Sequence, residues 1–420
     1  MTKFNSIRPS LMSWLVFWLA ALMTVCSASA QSAAPATSKA GPASAASTAN
    51  AANFTQSAPD VAARAWVLYD MTSQQVLAAK DIDTSVEPAS LTKLMTAYLV
   101  FEALKTKRIS PEQKVNVSTL AWKQEGSRMF VEPRMPVAVD DLLKGMIVQS
   151  GNDATVALAE TVAGSVERFV DNMNRQAQVI GLRGTSFKNV TGLTAPGHVT
   201  TLRDLITLSE RLIRDFPEFF SLYSLKQYTY NSITQTNRNL LLFRDASVDG
   251  LKTGHTDSAG YCLVATARKP LPAAVAGSTG VSERRIISIV VGAASDEARA
   301  RESQKLLNWA FANFDTVRLF DSNQAAEAPR VWKGTINNVR LGAAAPMFVT
   351  LPKGDAAKLK TTIVRADPLI APIEKGAPIA TLRVSIDQQV IAERPLVALD
   401  AVPQASFMGR AWDQLRLWVK

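Results

Sequence analysis

Apolar positions change period several times along the chain, and each period predicts an element. Ala65-Trp66-Val67-Leu68-Tyr69-Asp70 and Gln75-Val76-Leu77-Ala78, on either side of Met71-Thr72-Ser73, predict an antiparallel hairpin. Pro88 then announces a helix: Leu91, Leu94, Met95, Tyr98 and Leu99 recur at spacings of three and four, predicting a core-facing helix over residues 90–104 with Ser90 in its first turn. The same period marks Asp140 to Val148, Asp153 to Ala163, Val166 to Ile180 and Leu202 to Ile213 as a helical region. Two strongly apolar runs, Tyr261 to Ala267 and Arg285 to Val291, predict strands around a loop rich in Pro, Ala and Gly, Lys269 to Glu283, and a helix over Glu302 to Phe314 follows. One sheet with helices before and after it is an α+β arrangement.

From Val317 to Val402 the pattern changes to short alternating strands punctuated by Pro352, Gly354, Pro368, Pro372, Gly376 and Pro378, which predicts a small all-β module. The last segment returns to helical period. Phe407, Met408, Ala411, Trp412, Leu415, Trp418 and Val419 share one face, and Gln404, Arg410, Asp413, Gln414 and Lys420 lie largely opposite. Two tryptophans with basic residues predict an amphipathic helix, residues 403–420, lying in a membrane interface; the alternative is a helix packed on its own domain.

Composition adds limits to this outline. Lys3 and Arg8 precede an apolar run from Leu11 to Val25 and the small-residue site Ala28-Ser29-Ala30, so residues 1–30 read as a secretory signal peptide that carries Cys26 away. Residues 31–60 are almost wholly Ala, Ser, Thr, Pro, Asn and Gln, too poor in apolar side chains to order themselves, and read as a disordered linker. The chain has 420 residues, 47% hydrophobic and 20% charged, the balance of a globular protein with room for more than one domain. Two cysteines exclude a disulfide scaffold and a four-cysteine zinc site. Cys262, inside a strand-like run, is expected to be a small buried apolar residue. The net charge of +10 is scattered rather than gathered into basic blocks, which argues against nucleic acid as a partner and leaves an anionic membrane surface or acidic polymer open.

Three short elements carry the candidate chemistry: Ser90-Leu91-Thr92-Lys93, Ser150-Gly151-Asn152 and Lys252-Thr253-Gly254. Each alone is weak, but their order and settings are specific: one opens a helix, one sits between helices, one leads into strands. A serine hydroxyl needs a neighbouring base, and Lys93 lies three residues on, on the same helical face. That lysine must be neutral, which burial and a second cation, Lys252, would favour. Ser150 would relay a proton, Asn152 would orient a substrate amide, and Lys252 with Thr253 would hold a carboxylate. Gly254 would let a substrate backbone lie against the strand edge, and the backbone N–H groups of Ser90 and His255 would stabilise an oxyanion. The only histidines, His198 and His255, both read as hydrogen-bonded turn residues rather than as members of a Ser-His-Asp triad or a metal site. No glycine-rich phosphate loop is present, and no cofactor is expected.

Pro88-Ala89-Ser90-Leu91-Thr92-Lys93-Leu94-Met95-Thr96, Gln149-Ser150-Gly151-Asn152-Asp153-Ala154 and Val248-Asp249-Gly250-Leu251-Lys252-Thr253-Gly254-His255-Thr256 closely resemble the serine-type D-alanyl-D-alanine carboxypeptidases, the low-molecular-mass penicillin-binding proteins. The resemblance implies a penicillin-binding/β-lactamase-like transpeptidase domain, an antiparallel sheet with helices, over residues 61–316, followed by the all-β domain over 317–402 and the terminal helix. It implies Ser90 as acyl-ester nucleophile, Lys93 as proton acceptor, Ser150 and Asn152 as the second element, Lys252 as a substrate-binding residue, and Arg299 as a match to a family arginine that helps hold the terminal carboxylate. The implied substrates are peptidoglycan stem peptides ending in D-Ala-D-Ala, with β-lactams as acylating mimics. The implied place is the periplasm, at the outer face of the inner membrane. A β-lactamase is disfavoured by Ser-Gly-Asn and by the lack of a Glu-x-x-Leu-Asn element. A D,D-endopeptidase shares all three motifs. A non-catalytic wall-binding sensor would be expected to have lost the serine or the lysine, and both are present.

Overall fold

Six consecutive buried residues, Ala65–Asp70, require a strand covered on both faces. The computed structural model, which describes residues 57–276 and 281–418, places that strand second in a five-stranded sheet. The expected signal peptide and most of the expected linker lie outside the described residues, as do the centre of the 269–283 loop and the last two residues. The order is Gln75–Lys80, Ala65–Asp70, Glu283–Ala293, Gly260–Pro270, Val248–Thr256, every neighbouring pair antiparallel. Alternation sends Ala65, Val67 and Tyr69 into one core and Trp66 and Leu68 into another. The first core holds helices Lys93–Lys105, Asn152–Ala163, Val166–Val179 and Leu202–Asp215; the second holds Leu306, Leu307 and Ala310 of helix Asp296–Asn313.

Three differences from the sequence pattern have physical causes. The helix Lys93–Lys105 is buried around its whole circumference, with only Glu102 and Lys105 escaping, because it runs through the middle of the helical layer rather than over its surface. Helix Asp296–Asn313 begins well before Glu302 because Ser295 accepts a hydrogen bond from the Ala298 N–H and Asp296 and Glu297 oppose the helix dipole, while its longest apolar stretch starts only at Leu306. The helix expected over Asp140 to Val148 runs from Val139 to Lys144 and then widens into a π-type turn, Gly145–Gln149. A Cβ at Gly145 would lie 2.2 Å from the Met129 sulfur, so the close approach of Met129 needs that glycine.

The all-β module opens with Phe314–Phe320, which pairs with Met347–Pro352 directly after the preceding helix. Its larger sheet orders Ala325–Glu327, Leu341–Gly342, Gln389–Ala398, Pro378–Ile386 and Leu359–Arg365, all antiparallel, around Val349, Leu351, Leu382, Val384 and Leu396. Buried polar groups fasten this module to the hairpin turn of the first domain. Asp70 Oδ2 accepts from Arg284 Nε and Thr350 Oγ1, both at 2.7 Å, while its Oδ1 accepts from the Thr72 and Ser73 N–H groups. Gln75 accepts from the Thr350 N–H and donates to the carbonyls of Thr350 and Ile391. Arg394 donates to the carbonyl of Ser73.

The terminal helix, Phe407–Trp418, buries no residue. Asp413 holds its polar side to the module by accepting from the Lys333 N–H at 2.6 Å. Its apolar side stands in solvent, with Phe407 77% and Trp418 89% exposed. Among the described residues no helix is long and apolar enough to cross a membrane.

Candidate active site

Pro88 leads into a tight 3-10 turn, Ala89–Thr92, which passes without a break into helix Lys93–Lys105. Ser90 therefore sits in that turn rather than in the α-helix, and Lys93 follows one turn later with Nζ 3.1 Å from Ser90 Oγ. Ala89 holds φ at +46°, an unfavourable value for a residue with a Cβ. Two glycines make room for this bend: a Cβ at Gly192 would fall 1.8 Å from the Ala89 carbonyl oxygen, and one at Gly254 would fall 3.2 Å from both Ala89 Cβ and the Ser90 nitrogen. Gly254 thus admits the Ser90 turn itself against the edge strand.

Lys93 is 1% exposed, and its Nζ also donates to Asn152 Oδ1 at 2.8 Å and to the Thr191 carbonyl at 2.6 Å. Burial first, and the charge of Arg238 second, bring its pKa down to about 7, with Asp153 opposing. Asn152 Oδ1 and the Thr191 carbonyl can only accept. A neutral Lys93 therefore spends its two N–H groups on them and turns its lone pair toward Ser90 Oγ. Arg238 is a cation on Lys93 that no motif marked; Lys252 is itself held well below the ordinary lysine value by burial, then by Lys93, Arg238 and Arg299, so the two lysines disfavour each other's charge.

Ser150 closes the π-type turn in the left-handed region, with φ at +65°. Its Oγ is buried and has no hydrogen-bond partner among the described residues. Asn152 uses both ends of its amide, accepting from Lys93 and donating to the Glu125 carbonyl, so it holds the lysine as well as facing the cleft. The next residue, Asp153, is fully buried and accepts from the N–H groups of Met129, Phe130 and Val131, which fixes the loop that brings Gly126 and Ser127 over the cleft. An acid immediately after Ser-Gly-Asn and in the first turn of a helix was a legible signal for this anchor.

Lys252, Thr253, Gly254 and His255 lie on Val248–Thr256, the edge strand of the sheet. Thr253, Gly254 and His255 line a cleft of about 280 Å³ together with Ser90, Ser150, Asn152, Thr191, Gly192, Arg238 and Arg299. Lys252 is buried behind this lining and donates to the Thr253 carbonyl at 2.9 Å. Arg299 is engaged: Nη1 donates to the carbonyls of Gly254 and Cys262, Nη2 donates to the Arg238 carbonyl, and Asp296 pairs with the guanidinium. Arg238, from the stretch Asn237-Arg238-Asn239, reaches the same cleft and carries no motif that would have marked it. His255 stacks on Tyr261 at 4.0 Å between ring centres. Cys262 backs the edge strand, and burial pushes its thiol up to about 11, which makes it a poor nucleophile.

A half-buried serine beside a buried lysine, an orphaned second serine and a cationic cleft along a sheet edge form an acyl-transfer constellation. The family model described as D-alanyl-D-alanine carboxypeptidase matches residues 52–294, and that of the penicillin-binding protein 5 C-terminal domain matches residues 314–404. The chain is 42% identical over 367 residues to D-alanyl-D-alanine carboxypeptidase DacC of Escherichia coli, covering 86% of this chain and 89% of the relative. It is 40% identical over 372 residues to DacA of Haemophilus influenzae, covering 87% and 92%. Penicillin-binding protein 5 from Haemophilus influenzae superposes with a TM-score of 0.76 at 39% identity, over 83% of this chain and 100% of that one. On this agreement of motif, cleft and two-domain architecture, the chain belongs to the D-alanyl-D-alanine carboxypeptidase family of penicillin-binding proteins.

Proposed function

We propose that this carboxypeptidase removes the terminal D-Ala from peptidoglycan stem peptides through an ester on Ser90. Ser90 Oγ attacks the carbonyl carbon of the penultimate D-Ala while its proton passes to the lone pair of neutral Lys93. The C–N bond then breaks, and the proton travels through Ser150 to the departing D-Ala amine. Water hydrolyses the ester by the reverse proton path. The backbone N–H groups of Ser90 and His255 would stabilise the oxyanion, and Asn152 would orient the peptide while holding Lys93. The substrate carboxylate would lie against Thr253 in the field of Lys252, Arg299 and Arg238, with Arg238 the least engaged of these cations. The observation that carries the reading is the set of acceptor-only partners around Lys93, which aims its lone pair at Ser90.

The test is release of D-alanine from a peptide ending in L-Lys-D-Ala-D-Ala by residues 31–420, with the penicillin adduct mapped by mass spectrometry of proteolytic peptides. Release together with an adduct on Ser90 is the expected result. An adduct on Ser90 without release would move the reaction to cross-link cleavage or to penicillin sensing. An adduct elsewhere would remove Ser90 as the nucleophile.

The leader and the terminal helix support export to the periplasm and peripheral attachment to the outer face of the inner membrane. A helix that meets its own module through Asp413 and leaves Phe407, Met408, Trp412, Leu415 and Trp418 in solvent has the form of an interfacial anchor. Deleting Phe407 to Lys420 is expected to release the protein from vesicles containing anionic lipid while D-alanine release persists. Co-sedimentation of the truncated protein equal to that of the full chain would overturn the anchoring role.

A further inference from the structure

His198 is absent from the proton path above, yet it is buried 2% exposed directly behind the nucleophile turn. Its Nδ1 lies 2.9 Å from the Lys188 backbone nitrogen, and its Nε2 lies 2.8 Å from Thr92 Oγ1. A backbone N–H can only donate, so Nδ1 carries no proton and the neutral ring is protonated at Nε2. Nε2–H then donates to Thr92 Oγ1, and the threonine hydroxyl donates onward to the Ala89 carbonyl at 2.8 Å. Every atom of this chain is fixed in direction: Lys188 N–H to His198, His198 to Thr92, Thr92 to Ala89.

The chain ends on the residue that carries the strain. Ala89, at φ +46°, sets the direction in which Ser90 leaves the turn. The loop that begins the chain also touches the chemistry from the other side, since Thr191 offers its carbonyl to Lys93 and Gly192 packs against the Ala89 carbonyl. Asn189 braces that loop by accepting from the N–H groups of Thr191 and Gly192. We infer that His198, acting through Thr92, is a positioning residue that locks the Ser90 turn to the loop holding Lys93, and so sets the Oγ–Nζ distance on which acylation depends. The inference rests on Ser90 and Lys93 acting as proposed above.

The charged groups facing the ring are Glu87, from the segment before the nucleophile turn, and Lys188, from the loop. Burial outweighs Glu87 and brings the His198 pKa down to about 4, so the relay stays in its neutral, directional form throughout the working range of Lys93. Because reacting groups lose about 100-fold in rate for a displacement of order 1 Å, loosening the turn is expected to act on the chemical step rather than on binding.

The experiment measures acylation of residues 31–420 by a fluorescent penicillin, resolving the dissociation constant of the first complex from the rate constant of ester formation. Thr92→Val keeps the side-chain volume and removes both hydrogen bonds; Thr92→Ser keeps both. The expected result is a rate constant lowered about tenfold or more in Thr92→Val, an unchanged dissociation constant, and recovery to within about threefold of the parent in Thr92→Ser. His198→Ala is expected to match Thr92→Val, and the double variant to be no slower than the slower single one, as members of one relay should behave. If His198→Ala fails to fold, the Thr92 pair decides alone. Acylation of Ser90 at the parent rate by folded Thr92→Val, or a Thr92→Ser as slow as Thr92→Val, would overturn the relay alone. A parent adduct on a residue other than Ser90 would overturn the nucleophile and the relay with it.

Discussion

Replacing Lys93 with methionine is expected to slow acylation of Ser90 by about 10²- to 10⁴-fold, the range that a positioned general base supplies. Methionine occupies a similar volume in the buried slot but offers no lone pair of comparable basicity, and it also gives up the N–H groups that Lys93 donates to Asn152 and to the Thr191 carbonyl. At about 1.4 kcal/mol per tenfold, the loss is roughly 3 to 5 kcal/mol of transition-state stabilisation. The parent protein supplies the complementary observation. A lysine held at about 7 is charged below that pH and cannot accept a proton, so the acylation rate should fall as pH drops through about 7 and level off above it. Stopped-flow fluorescence with a labelled penicillin from pH 5 to 9 reads both effects. A Lys93→Met variant that keeps the inflection would assign the titration to another group, and one within about threefold of the parent rate would dismiss Lys93 as the base. Ser90→Ala should form no adduct, and adding Lys93→Met to it should change nothing further, as expected of residues acting as a unit.

The second large effect lies far from the cleft. Asp70→Ala is expected to lower the unfolding free energy by about 3 to 5 kcal/mol, because it strands Arg284 as an unpaired buried charge. It also removes the acceptor for the Thr350 hydroxyl and for two N–H groups of the hairpin turn. Against a total stability of about 5 to 15 kcal/mol for a domain, this is a large fraction. Arg284 also donates to the Phe314 carbonyl at the head of the β module and lies over the Phe311 ring, so the loss should loosen the junction of the two domains first. Urea unfolding followed by tryptophan fluorescence would show the midpoint falling and the transition broadening or splitting. Combining Asp70→Asn with Arg284→Met should recover part of the loss, since neither change leaves a lone buried charge. An unchanged midpoint in Asp70→Ala would mean that water reaches the junction and that the ion pair contributes little.

Much of the fold was legible because its elements announce themselves locally. The hairpin Ala65–Asp70 with Gln75–Lys80, the helices Val166–Val179 and Leu202–Asp215, and the strands Gly260–Pro270 and Glu283–Ala293 all carry a period that burial of one or both faces imposes. The strand order was not legible, because the second partner of Ala65–Asp70, beyond its hairpin mate, is Glu283–Ala293, more than two hundred residues away, and nothing in either segment names the other. Arg238 escaped notice for the same reason: it stands in no motif, and only folding brings its charge to bear on Lys93.

Residue types and their spacing along the chain by themselves determined that Ser90 and Lys93 stand one turn apart, the two accompanying motifs and the alternation of apolar faces, since a Ser-x-x-Lys turn and a strand's period of two are local consequences of backbone geometry. Only the tertiary structure decided that Arg238 adds its charge to the field on Lys93, which acceptors aim its lone pair, that Gly254 makes room for the Ser90 turn, that Arg299 is largely engaged by backbone carbonyls, and that Asp70 clamps one domain to the other. Each of those depends on burial and on distances of a few ångströms between segments remote in sequence, and desolvation and hydrogen bonding act only once the packed core has set them.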